Sequence, residues 1–287
     1  MLLSLKDSDD CRSVTALEAI QSLLRTSAQN IFSIARMQEP PLIWLEAEDD
    51  FPPVSMAWND STPMPGLLAA GGTLDAAHLL AAYKKGIFPW FSPGQPNLWW
   101  SPDPRMVLKT ADFRLHPSLR KTLRKFAHMP GYEVRIDTSF RQVIEHCANT
   151  PRAGQNGTWI VPSIIDAYCE LHKQGWAHSV ETWINNQLVG GLYCVALGQA
   201  VYGESMFAHA SDASKVALAA LVGLCRHHGA TQIDCQQATA HLASLGAREL
   251  PRAAFLNEAT IQQQCPNMDW NFKPVYWDSV LLKTSNA

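Results

Sequence analysis

The hydrophobic and polar positions of the chain follow a strand-like period in some segments and a helical period in others. Short apolar runs and alternation predict strands over 106–108, 132–136, 178–184, 187–196, 201–203 and 232–235. Apolar residues three and four apart predict helices over 116–128, 139–147, 162–171, 214–227 and 239–245. Asn185-Asn186 between two of these strands is typical of a hairpin turn. Because hairpins pair strands antiparallel, the pattern favours an α+β fold over a doubly wound one.

The segment before residue 106 is dense in proline and tryptophan and less periodic. Asp75 is a suitable N-cap for a helix that ends near Lys85, where a glycine follows. Prolines remove backbone donors, so Gly86–Gly94 is predicted to be neither regular helix nor central strand. We expect a rigid aromatic loop there, continuing through Trp99–Arg105.

The first 38 residues differ from the rest of the chain. Thr15–Glu18 fits a capping box, and the apolar residues around it keep helical spacing, which favours an amphipathic helix. The alternative is an untranslated leader, with Met37 as the native start. We therefore divide the chain into 1–38, a leader or extension, 39–105, a small Pro/Trp-rich N-terminal domain, and 106–287, a larger catalytic domain.

Composition narrows the class of protein. The 287 residues are 47% hydrophobic and 17% charged, with a net charge of -3, which excludes a mostly disordered chain. No apolar run reaches the length of a membrane span, and the N-terminus does not resemble a secretory signal, so we expect no membrane association. The 7 cysteines are scattered without a CxxC pair, which favours reduced thiols in a cytoplasmic protein. The 10 tryptophans suggest apolar pockets or aromatic platforms.

Polar residues near the ends of two predicted strands are candidates for chemistry. Glu204 follows a glycine and could hold an amine or act as a base, or it could cap a turn at the surface. Asp234 and Gln236 stand at alternate positions, so they share a face and could form a relay to a substrate amine. The alternative is a structural polar pair. Cys235 would then point into the core, and a dyad with His241 is the weaker interpretation.

A basic segment is the candidate contact for nucleic acid. On the predicted helix over 116–128, one side carries Arg120, Lys121, Arg124 and Lys125. In a chain of net negative charge this concentration could contact phosphates, and Lys84 and Lys85 could extend it. A solvated helix face is the alternative. Trp159, which follows a Gly/Asn/Pro-rich loop, is either a stacking wall or a core residue.

Five motifs together resemble one family. They are Gly86–Gln95 (GIFPWFSPGQ), Trp99–Arg105 (WWSPDPR), Gly157–Ile160 (GTWI), Gly203–Phe207 (GESMF) and Ile233–Gln236 (IDCQ). In order and spacing they resemble the leucyl/phenylalanyl-tRNA–protein transferases, over about residues 42–277. The resemblance implies a small N-terminal domain and a C-terminal GNAT-like acyltransferase domain with a mixed, largely antiparallel sheet.

The activity implied by the resemblance is aminoacyl transfer. Leu or Phe, and Met less well, would move from aminoacyl-tRNA to the α-amino group of a protein that begins with Arg or Lys, marking it for N-end rule degradation. The implied partners are Leu-tRNA, Phe-tRNA and such acceptor proteins. The resemblance implies no metal and no cofactor.

The resemblance also assigns residues. Asp234 and Gln236 match positions that activate the attacking amine, with Gln236 polarised by Asp234, and Glu204 matches a carboxylate that positions the aminoacyl-adenosine and the peptide. Trp90 and Trp159 match residues that hold the 3′ adenosine. The other matching substrate-binding positions are Tyr83, Tyr168, Leu192, Ser205, Leu218, Leu221, Cys225 and Ile233.

This chain departs from the family pattern in the pocket for the transferred side chain. Leu192 replaces Met, and Leu221 and Cys225 replace Phe, which changes the pocket volume and leaves the preference between Leu and Phe open. Contact with the tRNA is expected at the basic residues Lys84, Lys85, Arg120, Lys121, Arg124 and Lys125.

Two other classes of function make different predictions. An acyl-CoA acyltransferase predicts a Gly-rich Q/R-x-x-G-x-G/A run opening a helix, and Ala208–Ala213, before the predicted 214–227 helix, has no such run. A non-catalytic tRNA-binding protein predicts that Asp234 is dispensable.

Overall fold

The computed structural model describes residues 40–150 and 158–281 of the chain. The predicted leader over 1–38 and Gly157 of the GTWI motif lie outside the described residues. From Leu42 onward the described residues belong to one unit that contains two β-sheets.

The first sheet has four strands and comes from the Pro/Trp-rich segment. The strands are β1 (Ile43–Leu45), β2 (Leu67–Gly71), β3 (Phe88–Pro89) and β4 (Leu98–Trp100), in the order β1-β2-β4-β3. β1 is parallel to β2, and the other pairs are antiparallel.

One prediction for this segment was wrong. We expected Trp99 to lie in a loop, but Leu98–Trp100 is a central strand between β2 and β3. The physical reason is that Pro96 and Pro102 flank the strand without interrupting it, so its backbone donors remain available for pairing. The expectation that prolines exclude a central strand from Gly86–Gly94 is met, because Phe88–Pro89 forms the edge of the sheet.

The first helix, α1, follows its predicted signals. It spans Ala76–Lys84 and lies after β2 in the chain. The Asp75 carboxylate accepts a hydrogen bond from the His78 backbone at 2.8 Å, as an N-cap residue does. Gly86 adopts a φ of 70°, which lets the chain leave the helix and enter β3.

The second sheet has seven strands and confirms the predicted fold class. The strands are β5 (Arg105–Lys109), β6 (Tyr132–Ile136), β7 (Ala177–Ile184), β8 (Gln187–Leu197), β9 (Ala200–Ala208), β10 (Gln232–Gln236) and β11 (Arg248–Leu250). Their order is β11-β5-β10-β9-β8-β7-β6. Among these described strands, only β9 and β10 pair in parallel. The sheet is therefore mixed and largely antiparallel, and the class is α+β.

Seven further helices accompany this sheet in the described part of the chain. They are α2 (Pro117–His128), α3 (Phe140–Ala148), α4 (Pro162–Lys173), α5 (Ala213–His228), α6 (Ala240–Ser244), α7 (Arg252–Gln263) and α8 (Tyr276–Leu281). Two short 3-10 turns lie at Val54–Met56 and Thr110–Asp112. The sequence pattern predicted α2 to α6 within a few residues and missed α7 and α8.

The connection between β9 and β10 positions the candidate site. It runs through α5, which is buried along most of its length and packs against β8 and β9. Because β9 and β10 are parallel, their carboxyl ends lie at the same edge of the pair. Glu204 on β9 and Gln236 at the end of β10 are thereby brought together.

Candidate active site

A cavity of about 740 Å³ is lined by residues from both sheets. Phe88, Pro89 and Trp90 form its wall on the side of the first sheet. The predicted site residues that line it are Trp90, Trp159, Leu192, Glu204, Ser205, Leu218, Leu221, Ile233, Asp234 and Gln236. Lining residues that sequence reasoning did not assign are Phe88, Pro89, Tyr193, Gly203, Met206, Cys235, Gln237, Thr239, His241 and Leu242.

Glu204 is the centre of a hydrogen-bonded group. Its Oε1 accepts from the Gln236 amide Nε2 at 2.9 Å, and its Oε2 accepts from the Tyr168 hydroxyl at 3.2 Å. The Tyr83 hydroxyl in turn contacts the Tyr168 hydroxyl. Both tyrosines are fully buried behind Glu204 and are not part of the cavity wall, so they contact the carboxyl group instead of the open space.

The environment of Glu204 favours its neutral form. Burial is the main cause that raises the pKa of this carboxyl group to about 8, and the negative charge of Asp234 adds to the rise. Hydrogen bonds from Tyr83 and Tyr168 lower the pKa but do not compensate for burial. The resulting pKa is close to that of a protein α-amino group, ~8. Glu204 can therefore exchange a proton with an amine at little cost in free energy.

Asp234 is held in a different way. Arg105 donates from Nε to Oδ1 at 2.8 Å and from Nη2 to Oδ2 at 2.6 Å, and both side chains are fully buried. The guanidinium also lies over the rings of Phe88 and Phe255, each 4.8 Å from the ring centre. A buried carboxylate requires such a partner, and the motif WWSPDPR, which ends at Arg105, was the available signal in the sequence.

The contact between Asp234 and Gln236 differs from the expected one. Asp234 Oδ1 accepts from the backbone N–H of Gln236 at 2.9 Å, whereas the Gln236 side-chain amide donates to Glu204. The register of β10 shifts between these residues, and Gln236 has a φ of 62°. This bulge breaks the alternation on which the prediction of a shared face was based, and it turns the amide toward β9.

The apolar part of the cavity comes mainly from α5 and the strands beneath it. Leu192, Leu218, Leu221 and Ile233 lie in the wall, as the resemblance implies. Cys225 does not: it is fully buried in the core, one helical turn beyond Leu221, and burial raises the pKa of its thiol to about 12.

The position of Cys235 corrects a smaller expectation. We placed it in the core on the opposite face, but it is partly exposed and lines the cavity. Burial raises the pKa of its thiol to about 12, and its Sγ donates to the Ile233 carbonyl at 3.7 Å. His241 also lines the cavity, but no thiol–imidazole contact joins it to Cys235 within the described residues.

The predicted tRNA contacts lie outside the cavity. Lys84, Lys121, Arg124 and Lys125 are exposed. Two other predicted residues bond to backbone carbonyls: Lys85 donates to Phe51 at 3.0 Å, and Arg120 donates to Leu281. Leu119, Leu123 and Phe126 are buried, so α2 has the two faces that its sequence predicts.

Two kinds of feature are absent from the described residues. No three His, Cys, Asp or Glu side chains are grouped as a metal ion requires in residues 40–150 and 158–281. Within the same ranges, no helix has the length and hydropathy needed to span a membrane.

Comparison with known proteins connects these observations to one family. The family model described as leucyl/phenylalanyl-tRNA protein transferase matches residues 107–260, and the model of the N-terminal domain of such transferases matches residues 72–103. Curated proteins named leucyl/phenylalanyl-tRNA–protein transferase are similar to the chain. That of Albidiferax ferrireducens is 59% identical over 86% of this chain and 98% of its own length. That of Polaromonas sp. is 58% identical over 84% of this chain and 94% of its own length.

Solved structures are more distant. A GCN5-related N-acetyltransferase from Kribbella flavida covers 59% of both chains with a TM-score of 0.32 and 9% identity. A conserved protein from Bacteroides thetaiotaomicron covers 67% of this chain and 63% of its own, with a TM-score of 0.35 and 12% identity. Overlaps of this size carry no inference.

Proposed function

The chain belongs to the leucyl/phenylalanyl-tRNA–protein transferase family, and we propose that it performs the reaction for which that family is named. It transfers Leu or Phe, and Met less well, from aminoacyl-tRNA to the α-amino group of proteins that begin with Arg or Lys. In a bacterial cytoplasm this addition marks the acceptor for N-end rule degradation. The observation that carries the proposal is the contact of Gln236 with Glu204 at the edge of an apolar cavity.

The reaction places few demands on the protein. The aminoacyl group is already activated as an ester, so the enzyme must orient the two substrates and manage one proton. The amine nitrogen attacks the ester carbonyl, the bond to the ribose oxygen breaks, and the proton lost by the amine balances the charge on that oxygen. A cavity that holds the ester and a polar edge that holds the amine supply these requirements.

Gln236 is the proposed contact for the amine. Its Nε2 is occupied by Glu204, which leaves its carbonyl oxygen to accept a hydrogen bond from the attacking α-amine. Glu204 is the titratable group that contacts Gln236, and its pKa of about 8 suits proton exchange with an α-amine near neutral pH.

Asp234 acts in this proposal through Gln236. The bidentate Arg105 pair fixes the carboxylate, and the carboxylate fixes the backbone N–H of Gln236 in the bulge. This arrangement supports the positioning of the amide; it offers no free carboxylate to take a proton. Tyr83 and Tyr168 support Glu204 in the same way from behind.

The remaining predicted residues divide between the ester and the tRNA. The apolar wall, including Leu192, Leu218, Leu221 and Ile233, receives the transferred side chain, and Ser205 lies beside it. Trp90 and Trp159 stack on the 3′ adenosine. The exposed lysines and arginines of α1 and α2 contact tRNA phosphates. We propose residues 39–105 as the small N-terminal domain and 106–287 as the catalytic domain.

A transfer assay tests the proposal. The full chain is incubated with Phe-tRNA carrying labelled Phe and with a peptide that begins with Arg. We expect a product that is longer by one N-terminal Phe, and no product when free Phe and ATP, or acetyl-CoA, replace the charged tRNA. No product from Phe-tRNA, or an equal yield from free Phe and ATP, overturns the proposal. Parallel reactions with Leu-tRNA and Met-tRNA measure the preference of the pocket.

A further inference from the structure

A groove of about 390 Å³ adjoins the cavity on the side of strand β11. Thr239 lines both the cavity and the groove, so the two spaces meet at this residue. The lining of the groove is mostly apolar, with the buried residues Met106 and Ala247 as its floor and small exposed side chains such as Ala243 beside them. Its rim carries two charged residues, Arg248 and Glu249, from the edge strand of the large sheet.

The strand register places Glu249 at a defined distance from the reaction centre. Met106 on β5 pairs with Gln236 on one side and with Glu249 on the other. The three residues therefore form one row across the sheet. Two spacings between strands separate Gln236 from Glu249, or about 10 Å between their backbones. This distance is comparable to the length of an extended lysine or arginine residue.

The charged residues in and beside this row are unequally compensated. Arg248 contacts the Asp112 carboxylate, so its charge is matched. Asp234 is neutralised by Arg105. Glu249 is exposed, and among the described residues its carboxylate has no ion-pair or hydrogen-bond partner. Of the described carboxylates that line the cavity and the groove, Glu249 is the one whose oxygens are not already engaged by another side chain.

We propose that this groove is the subsite for the first side chain of the acceptor protein, with Glu249 pairing with its guanidinium or ammonium group. The inference rests on the proposed function, since it places the acceptor amine at Gln236. Lysine and arginine bury their methylene stems against apolar surface while the charged head remains in water. The small apolar floor and the exposed carboxylate at the rim match both halves of such a side chain.

The test compares two acceptor peptides that differ only in the charge of the first side chain. One begins with arginine and the other with citrulline, which is its neutral isostere. Both are assayed with Phe-tRNA and four proteins: the unchanged chain, Glu249→Gln, Glu249→Asp, and Glu133→Gln as a control. Glu133 is an exposed glutamate on β6, the opposite edge strand of the same sheet.

We expect Glu249→Gln to reduce the ratio of kcat/KM for arginine over citrulline by about five- to tenfold, as loss of a partly exposed charged hydrogen bond does. In Glu249→Gln the KM for the arginine peptide should rise, while the KM for Phe-tRNA should stay unchanged. Glu133→Gln should keep the ratio of the unchanged protein, and Glu249→Asp should restore part of it.

The failures of the two proposals are distinguishable. If the unchanged protein adds no Phe to either peptide, the proposed function is wrong. If it adds Phe with a preference for arginine, and Glu249→Gln keeps that preference, the groove is not the subsite and only this inference is overturned. Thermal melting of the four proteins checks that the exposed substitutions leave folding intact.

Discussion

The two carboxylates at the polar edge of the cavity have opposite surroundings. Asp234 lies in the sheet, fully buried, with both oxygens bonded to Arg105. Glu204 lies one strand away and is surrounded by neutral donors from Gln236 and Tyr168. A cation compensates the first charge, whereas burial raises the pKa of the second group to about 8.

The difference shows how one edge of a sheet can supply two functions. A carboxylate with a fixed countercharge is a rigid hydrogen-bond acceptor, and here it holds the backbone of Gln236. A carboxyl group without a countercharge can gain or lose a proton near neutral pH. A carboxyl group whose pKa is raised toward neutrality, placed beside a carboxylate that a fixed cation holds, is an arrangement suited to acid–base chemistry.

The largest expected effect comes from removing the countercharge. Arg105→Met leaves Asp234 buried and unpaired, which should lower the free energy of unfolding by about 3–5 kcal/mol. Urea denaturation of the unchanged and variant proteins measures the loss. The double variant Arg105→Met/Asp234→Leu should recover part of it, because an apolar pair removes the uncompensated charge. A loss below ~1 kcal/mol for Arg105→Met would contradict the assigned pairing.

The next effect is on catalysis. Gln236→Ala removes the proposed acceptor for the amine and should lower kcat about 10²-fold, the cost of losing one transition-state hydrogen bond. Single-turnover transfer from Phe-tRNA to an Arg peptide measures this rate, with Gln237→Ala as the neighbouring control. Equal losses in the two variants would show that Gln236 has no special position.

A smaller effect concerns the dependence of stability on pH. Because the folded-state pKa of Glu204 lies above the usual 4.5, its protonated form stabilises the fold below about pH 4.5. This contribution is lost as the pH rises toward 8. Between pH 4.5 and pH 8 the free energy of unfolding of Glu204→Gln should therefore fall less than that of the unchanged protein. We expect the difference to be about 2 kcal/mol, which is less than the full pKa shift would give, because Glu204 is partly exposed to water. Unfolding series at several pH values measure the difference, and parallel curves would refute it.

The smallest effect tests the hydroxyl group behind Glu204. Tyr168→Phe removes a donor that lowers the pKa of Glu204, so that pKa should rise further. The net cost of one hydrogen bond is about 1 kcal/mol. The pH midpoint of the stability change assigned to Glu204 should then move upward, whereas Tyr132→Phe, far from the cavity, should leave it in place. A midpoint that does not move would remove Tyr168 from the environment of Glu204.

Predictions from local pattern succeeded where the pattern is strong. The helix after Asp75, the hairpin at Asn185-Asn186 and the two faces of α2 are all present. Short strands of the first sheet, and the helix α7, were missed. A three-residue strand has too few positions to show a period, and α7 has only a weak apolar stripe.

The sequence by itself determined the family, the α+β class and half of the residues of the cavity wall, because these follow from motifs and from local periodicity. Only the tertiary structure decided how the polar residues contact one another. The partner of Asp234 is Arg105, 129 positions away in the chain, and the bulge in β10 directs Gln236 to Glu204. Such contacts depend on strand order and register, which a linear pattern does not contain. For the same reason, the row that joins Gln236, Met106 and Glu249 is visible only in the folded sheet.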